Sequence, residues 1–230
     1  MRDFPNAVML FAAGFGTRMG ALTANTPKPL VKVAGKALID HTLDLARKVD
    51  PATIVANTHY LSNQIERHLE GTSVVVSNET PNILETGGGL RQALPLLDSN
   101  PVFTSNTDAI WHGPNPFQVA LDAWYPDVMD ALLVCVPPGS ALGHKGQGDF
   151  TLAENGLLKR GPGVIYGGVQ ILRTDGLFDI EQAAFSLNRL WDRILANGRL
   201  FGVSYSGKWC DVGSPEGIIL AENLLSETDV

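Results

Sequence analysis

The chain has 230 residues, of which 44% are hydrophobic and 18% charged, and its formal net charge at pH 7 is −7. This length and apolar fraction allow one good hydrophobic core, so we expect a single domain over residues 1–230. The acidic balance, which no basic run offsets, argues against a nucleic-acid partner.

Apolar β-branched runs alternate with helical patterns through the first half of the chain. The predicted strands are residues 7–13, 53–57, 73–77 and 102–105. The predicted helices are residues 38–49, 61–69 and 89–97. This order predicts an α/β fold with a mostly parallel sheet and helices on both of its faces.

The second half continues the alternation after one irregular region. A helix is predicted over residues 116–125 and a strand over residues 131–136. Residues 137–163 are rich in glycine and proline and predict an insertion or hairpin that covers the carboxyl edge of the sheet. The remaining predicted elements are strand 164–172, helix 187–197, strand 200–205 and helix 215–225.

A glycine-rich stretch follows the first predicted strand, with Gly14, Gly16 and Gly20 in the spacing G-x-G-x-x-x-G. A glycine-rich turn that leaves a buried strand exposes backbone N–H groups that can surround phosphate oxygens. Arg18 and Lys28 add two positive charges to the same region. The stretch therefore predicts a polyphosphate-binding site.

Two common phosphate-binding motifs do not fit this loop. It is one residue too long for the dinucleotide fingerprint, and the second predicted strand ends in Asn57-Thr58-His59, without the acidic residue that holds a ribose. A Walker-type loop needs Ser or Thr after its Lys, but the G-x-x-x-x-G-K string at residues 202–208 is followed by Trp209. We therefore interpret the loop as belonging to neither class.

The loop instead resembles the L-A-A-G-x-G-T-R-M…P-K-P-L motif of the sugar-1-phosphate nucleotidyltransferases, also called nucleotide-sugar pyrophosphorylases. It reads F-A-A-G-F-G-T-R-M at residues 11–19 and T-P-K-P-L at residues 26–30. The similarity continues through L-E-T-G-G-G-L at residues 84–90, N-T-D at 106–108 and W-C-D-V-G-S-P at 209–215, and so spans nearly the whole chain. The E-T-G-G-G variant and the G-D-F segment at residues 148–150 are most similar to the N-acetylmuramate-1-phosphate uridylyltransferases of bacterial cell-wall recycling.

The resemblance implies a Rossmann-like, three-layer fold with a mixed, mostly parallel sheet. Residues 1–110 would form the nucleotide-binding half and residues 111–230 the sugar-binding half. The reaction implied is attack by a sugar-1-phosphate oxygen on the α-phosphorus of a nucleoside triphosphate, which mainly requires positioning and charge neutralisation.

Two cations are the expected catalytic residues. Arg18 would contact the triphosphate and the leaving pyrophosphate, and Lys28 would meet the phosphates of both reactants. Lys28 stands between Pro27 and Pro29. We expect these prolines to keep it out of a helix and to stiffen the loop that presents it.

Asp108 and Asp211 are the expected magnesium ligands, since the resemblance assigns the metal to aspartates at these positions. Magnesium prefers a few hard oxygen ligands that it shares with substrate phosphates. Either aspartate alone also fits a helix N-cap or a turn. Relatives often have N-G-D where this chain has Asn106-Thr107-Asp108, and the sequence gives no reason for Thr107.

Nucleotide contacts are expected from small residues and backbone groups. The resemblance assigns them to Ala12, Ala13, Gly14, Gly16, Thr17, Glu79, Thr86 and Gly88. Sugar contacts are expected from Asn106, Asp149 and Gly168. The chain lacks the Glu-Lys-Pro segment with which many relatives grip the sugar, and residues 155–161 occupy that region.

N-acetylmuramate-1-phosphate carries a lactyl carboxylate that glucose and mannose phosphates lack. A pocket for it should offer an additional cation or backbone donors. The candidates, all in the glycine-rich region, are Lys145, Lys159 and Arg160. The resemblance implies UTP as the donor. A pocket that selects a pyrimidine would reject the larger purine, whereas UTP and dTTP differ only in a methyl and a ribose hydroxyl.

Other readings stay open. The enzyme could be a hexose-1-phosphate guanylyl- or thymidylyltransferase, or a cytidylyltransferase for phosphocholine. An inactive homologue that senses nucleotide sugars is disfavoured by the joint presence of Arg18, Lys28, Asp108 and Asp211. We expect a monomer or homodimer. We expect no membrane partner, because no segment is long enough to span a bilayer. The chain has two cysteines, Cys135 and Cys210, which form no disulfide framework and lack the spacing of metal ligands. We therefore expect reduced thiols and a cytoplasmic protein.

Overall fold

The structure, a computed structural model, describes residues 3–227. Its strands, numbered in chain order, are β1 Ala7–Phe11, β2 Lys32–Val33, β3 Lys36–Ala37, β4 Thr53–Thr58, β5 Val74–Asn78, β6 Val102–Asn106, β7 Ala109–His112, β8 Ala131–Val136, β9 Ala141–Leu142, β10 Phe150–Leu152, β11 Leu158–Arg160, β12 Ile165–Leu172, β13 Leu200–Ser204 and β14 Lys208–Asp211. Its α-helices are α1 Leu38–Arg47, α2 Ser62–Leu69, α3 Glu85–Leu97, α4 Pro116–Asp122, α5 Asn188–Ala196 and α6 Pro215–Ser226. Short 3-10 helices cover Thr17–Thr23, Lys28–Leu30, Pro138–Ser140 and Asp175–Leu177.

Seven strands form one central sheet in the order β13-β8-β12-β6-β1-β4-β5. All of them run parallel except β12, which is antiparallel to both of its neighbours, β6 and β8. The predicted α/β class with a mixed, mostly parallel sheet is therefore confirmed. Both halves of the chain contribute strands to this sheet, and its division into nucleotide and sugar halves stays a prediction.

Alternation along β1 shows how the sheet separates two layers of helices. Val8 and Leu10 face one hydrophobic core, which holds the apolar faces of α1, α2 and α4. Ala7 and Met9 face the second core, which holds those of α3 and α5. Because both faces of the sheet are covered, its inner strands are apolar throughout, and all six residues of β8 are buried.

Two smaller elements stand beside the central sheet. Strands β7, β14 and β9 form a three-stranded sheet, against which α6 packs in a third apolar core. Strands β10 and β11 form a hairpin inside the glycine-rich region of residues 137–163. Among the helices within residues 3–227, none combines the length and apolar character needed to cross a membrane.

Helix α3 begins at Glu85, four residues before the predicted start, and so takes in the three consecutive glycines. One nearby acceptor, Glu79, and one distant acceptor, Phe185, satisfy N–H groups at its start. Glu79 Oε2 accepts from Leu84 N at 2.8 Å, and the Phe185 carbonyl accepts from Gly87 N at 2.8 Å. No local sequence pattern reports the tertiary bond to Phe185, which is why the predicted helix began only at Gly89 and left Gly87 and Gly88 before it.

The expectation that Lys28 stays outside a helix is wrong in detail. Lys28 opens the 3-10 turn Lys28–Leu30, which Val31 N closes by donating to the Lys28 carbonyl at 3.0 Å. Pro29 fits this turn because the first residues of a helix need no N–H partner. The turn still fixes the lysine backbone, as the flanking prolines indicated.

Candidate active site

The main cavity opens at the carboxyl ends of β1, β4 and β6 and has a volume of about 310 Å³. Ligands of open α/β sheets bind at this edge. Eleven of the predicted site residues line it, namely Ala12, Ala13, Gly14, Gly16, Thr17, Arg18, Lys28, Glu79, Thr86, Asn106 and Asp108. The two expected catalytic cations and most of the expected nucleotide contacts therefore share one space.

The loop after β1 presents free backbone donors to this cavity. Within residues 3–227, the N–H groups of residues 13–16 donate no hydrogen bond. Gly16 adopts the left-handed conformation, with φ at 64°, which turns the chain into the 3-10 helix Thr17–Thr23. Unpaired N–H groups on a glycine turn are suited to phosphate oxygens.

Lys28 crosses from this loop to the end of β6. It is buried, and its Nζ donates to Asp108 Oδ2 at 2.7 Å. Its stem packs against Gly16, where a Cβ atom would lie 2.8 Å from Lys28 Cβ. Glycine at position 16 thus leaves room for the lysine side chain that carries the charge.

Asp108 and Asp211 come together through the small sheet. Strand β14 pairs antiparallel with β7, with Asp211 opposite Ala109, and Val212 N donates to the Asp108 carbonyl at 3.0 Å. Burial, followed by the negative charge of Asp108, raises the pKa of the Asp211 carboxyl. The two carboxylates therefore interact across adjacent strands.

Arg18 completes this group of charges from the other side. Its Nη1 lies 3.7 Å from Asp211 Oδ2, and its side chain remains 70% exposed. An exposed pair at this distance is weak, so the guanidinium can turn to an incoming anion at small cost. Asp211 itself lies behind Gly213, which lines the main cavity.

A buried hydrogen-bond chain fixes the floor of the main cavity. Asn57 Oδ1 accepts from Ala12 N at 2.7 Å, and Asn57 Nδ2 donates to Glu79 Oε1 at 2.6 Å. With Leu84 N on its other oxygen, Glu79 is held on both sides by protein donors. Glu79 therefore supports the loop and the start of α3. It also lines the main cavity, and its contact with the nucleotide stays a prediction.

Asn57 is a site residue that the sequence interpretation missed, because it was judged only as a failed ribose-binding acid. The available signal was a polar residue at the carboxyl end of a buried parallel strand. Thr107 also acquires a role in the structure. Its Oγ1 donates to the Phe11 carbonyl at 2.8 Å and so ties the segment before Asp108 to the end of β1.

A second cavity of about 270 Å³ adjoins the main one, and both are lined by Phe11, Thr86 and Asn106. Asp149, a predicted sugar contact, lines the second cavity, and its Oδ2 accepts from Tyr166 N at 2.9 Å. The contiguous space has room for a second reactant beside the first.

Gln170 holds the base of the second cavity. It is fully buried, donates through Nε2 to Thr104 Oγ1 and accepts at Oε1 from Trp191 Nε1, each at 2.9 Å. The Trp191 ring meets the Tyr166 ring edge-on, with centroids 4.9 Å apart. Burial raises the pKa of the Tyr166 hydroxyl well above its usual range, so the Tyr166 side chain stays uncharged.

Gly88 and Gly168 line neither cavity. The Gly88 N–H donates to the Phe185 carbonyl at 3.2 Å, so its donor is committed to the protein. Gly168, with φ at 103°, backs onto Asn106, where a Cβ atom would lie 3.1 Å from that of Asn106. Gly168 therefore gives room to Asn106, which lines both cavities, whereas Gly88 packs against the Ala183 backbone.

Comparisons with known proteins agree with this architecture. A profile of the MobA-like NTP transferase domain matches residues 8–157. The N-acetylmuramate alpha-1-phosphate uridylyltransferase of Caulobacter vibrioides is 39% identical over 99% of this chain and 100% of its own. The protein of the same name from Neisseria meningitidis serogroup B is 34% identical over 90% of this chain and 92% of its own.

Among solved structures, HddC from Yersinia pseudotuberculosis, complexed with GMP-PN, superimposes with a TM-score of 0.75. The superposition includes 96% of this chain and 100% of the HddC chain. At 19% sequence identity, it shows that the two proteins share a fold. The family match, the two relatives and the arrangement of the loop after β1 agree with one another. The chain belongs to the nucleotidyltransferases that share the MobA-like NTP transferase domain.

Proposed function

We propose that the protein transfers a uridylyl group from UTP to N-acetylmuramate-1-phosphate and releases pyrophosphate. The observation that carries the proposal is the pair of contiguous cavities that meet at Phe11, Thr86 and Asn106, with Lys28 lining the main cavity. The acceptor and the base are suggested by the two uridylyltransferase relatives, which match 99% and 90% of this chain.

In the proposed reaction, a phosphate oxygen of the sugar phosphate attacks the α-phosphorus of UTP. A new phosphorus–oxygen bond forms, and the bond from the α-phosphorus to the bridging β-oxygen breaks. The protein's part is to bring two anions together and to stabilise the charge that builds up on the phosphoryl oxygens. The free N–H groups of residues 13–16 and the Lys28 ammonium suit this task.

Arg18 is suited to the leaving group. Its guanidinium is mostly exposed, lines the main cavity and has one weak partner, Asp211. A planar guanidinium can bind two oxygens of a pyrophosphate at once. Arg18 would therefore exchange its carboxylate partner for the pyrophosphate as negative charge accumulates there.

We further propose magnesium, held by Asp108 and Asp211. The donor set fits, because two adjacent carboxylates leave positions for phosphate oxygens and water, as magnesium prefers. Burial, and after it the negative charge of Asp108, raises the pKa of Asp211, and a divalent cation would relieve the repulsion between the two carboxylates. Magnesium supplies Lewis-acid stabilisation of phosphate charge when bound.

The cellular setting is part of the same proposal. Cys135 and Cys210 are free and buried, which suits a reducing compartment, and we place the protein in the cytoplasm. N-acetylmuramate is a cell-wall sugar, so the product would return a cell-wall fragment to the nucleotide-sugar pool. We expect a monomer or a homodimer, which sedimentation of the purified protein would distinguish.

A substrate panel scored by pyrophosphate release tests the function. We expect UTP with N-acetylmuramate-1-phosphate to give the highest kcat/KM. The competing pairs are GTP with mannose-1-phosphate, dTTP with glucose-1-phosphate, and CTP with phosphocholine. A higher value for any of these pairs would overturn the proposed substrates, and the absence of turnover with every pair would favour a nucleotide-sugar sensor.

A further inference from the structure

We propose that Arg160 binds the lactyl carboxylate of the acceptor and so selects N-acetylmuramate-1-phosphate over N-acetylglucosamine-1-phosphate, which has the same ring without that group. The inference rests on the proposed function. It assigns the choice of acceptor to one side chain in the second cavity.

Arg160 is the cation that the fold places at the acceptor. It lies at the end of β11 and lines the second cavity together with Asn106, Asp149 and Tyr166. Among residues 3–227, no other Lys or Arg lines that cavity. A carboxylate on an acceptor bound there has this one positive partner.

The other two candidate lysines are placed elsewhere. Lys159 precedes Arg160 in β11 and therefore points to the opposite face of the hairpin. Lys145 is exposed in the glycine-rich region and lines neither cavity. Their charges are available to solvent and do not distinguish one acceptor from another.

The guanidinium of Arg160 is held in position before any ligand binds. Its Nη2 donates to Asn188 Oδ1 at 2.8 Å and to Asp192 Oδ1 at 2.9 Å, and its Nε donates to Asp192 at 3.2 Å. The same group lies 4.8 Å from the centre of the Phe150 ring and 5.6 Å from that of Trp191. A side chain fixed in this way loses little conformational entropy on binding.

One edge of the guanidinium stays available. Within the described residues, Nη1 makes no hydrogen bond or ion pair, so both of its N–H groups can donate to a carboxylate. The existing partner Asp192 has a side chain that is 63% exposed, so solvent screens its charge. Arg160, which lines the cavity, therefore retains a free donor edge and attraction for a second anion.

Asp149 makes this selection sharper. Its carboxylate lines the same cavity, and an acceptor carboxylate without a cation beside it would meet repulsion there. Removing the Arg160 charge should therefore penalise the carboxylate-bearing acceptor specifically, and the sugar phosphate that lacks the carboxylate much less.

The test compares the two acceptors, with UTP saturating, in the wild type and three variants. Arg160→Gln removes the charge. Arg160→Lys keeps the charge and the stem over Phe150 but loses the planar donor pair. Lys159→Gln is the matched control, with the same loss of charge at the adjacent residue on the other face.

We expect the wild type to prefer N-acetylmuramate-1-phosphate. In Arg160→Gln, the ratio of kcat/KM for N-acetylmuramate-1-phosphate to that for N-acetylglucosamine-1-phosphate should fall at least about tenfold, the scale of a lost charge-assisted hydrogen bond. The ratio in Arg160→Lys should lie between those of the wild type and Arg160→Gln. Lys159→Gln should keep the wild-type ratio. Calorimetry with UDP-N-acetylmuramate and UDP-N-acetylglucosamine should show the same loss in binding, independently of turnover.

Two negative results would be distinguishable. A wild type without preference for N-acetylmuramate-1-phosphate would refute the proposed acceptor and this inference with it. A wild type that has the preference, together with an Arg160→Gln variant that keeps it, would refute the role of Arg160 alone. If Arg160→Gln does not fold, as judged by its Tm, the ratio in Arg160→Lys decides: an unchanged ratio there would overturn the inference.

Discussion

Lys28 Nζ donates to Asp108 Oδ2 across 2.7 Å, and this pair joins the loop after β1 to the end of β6. The carboxylate expected to hold magnesium thus has a fixed ammonium beside it. The two groups are 80 residues apart in the chain and meet because β1 and β6 are neighbouring parallel strands. Their proximity makes the function of each depend on the other.

Replacing Lys28 by methionine keeps most of the stem packing and removes the charge. We expect kcat to fall by about 100-fold or more, since the ammonium stabilises charge that develops during transfer. Binding of the sugar phosphate should weaken as well. Steady-state kinetics at saturating UTP and magnesium measures both effects. A variant with normal kcat and a lowered Tm would show that the lysine is structural.

Asp108→Asn and Asp211→Asn should each abolish turnover while leaving the fold intact. The amide keeps the size of the side chain but is a poor magnesium ligand. UTP binding in the absence of metal should survive in both variants, because the free N–H groups of residues 13–16 remain. Calorimetry with and without magnesium, together with circular dichroism, provides the measurements. Normal magnesium dependence in either variant would remove that aspartate from the metal site.

Gly16→Ala should disturb catalysis through Lys28. The added Cβ would lie 2.8 Å from Lys28 Cβ, and the left-handed backbone adds strain of about 1–3 kcal/mol. We expect a lower Tm and a loss of turnover. Gly198→Ala is the control, because its φ is 66° but nothing lies within 4 Å of the added atom. Equal losses of turnover in both variants would assign the effect to backbone strain alone.

The raised pKa of Asp211 gives a stability effect with a definite sign. The folded state binds this proton more tightly than the unfolded state, so the group costs stability once the pH rises above its ordinary pKa of 3.8. In metal-free buffer, Asp211→Asn should therefore have a higher Tm than the wild type at pH 7. The difference should shrink as the pH falls towards 3.8. A difference that does not change with pH would contradict this explanation.

The sequence predicted the sheet and most helix positions because apolar periodicity reports burial directly. Strand β8 was located without error, since six consecutive apolar residues occupy a sheet covered on both faces. The start of α3 was predicted four residues too late, because the Gly87 N–H bonds to the Phe185 carbonyl, which is distant along the chain. Local patterns carry no information on such partners.

The candidate site was likewise predictable only where its residues lie close together in the sequence. Residues of the loop after β1 were predicted from one contiguous motif, and the structure places them together around the cavity. Asn57 was missed because its role depends on a hydrogen bond to Ala12, on the neighbouring strand. Arg160 could not be separated from Lys159 until the hairpin fixed which side chain faces the cavity.

The two cavities share Phe11, Thr86 and Asn106, so a bound product affects the binding of both reactants. In the proposed reaction, a nucleotide sugar would span both spaces, because it retains the base of one reactant and the ring of the other. While it remains bound, neither a fresh triphosphate nor a fresh sugar phosphate can enter. Accumulated product would therefore compete with each reactant separately, and the cell's pool of nucleotide sugar would itself limit the rate of supply.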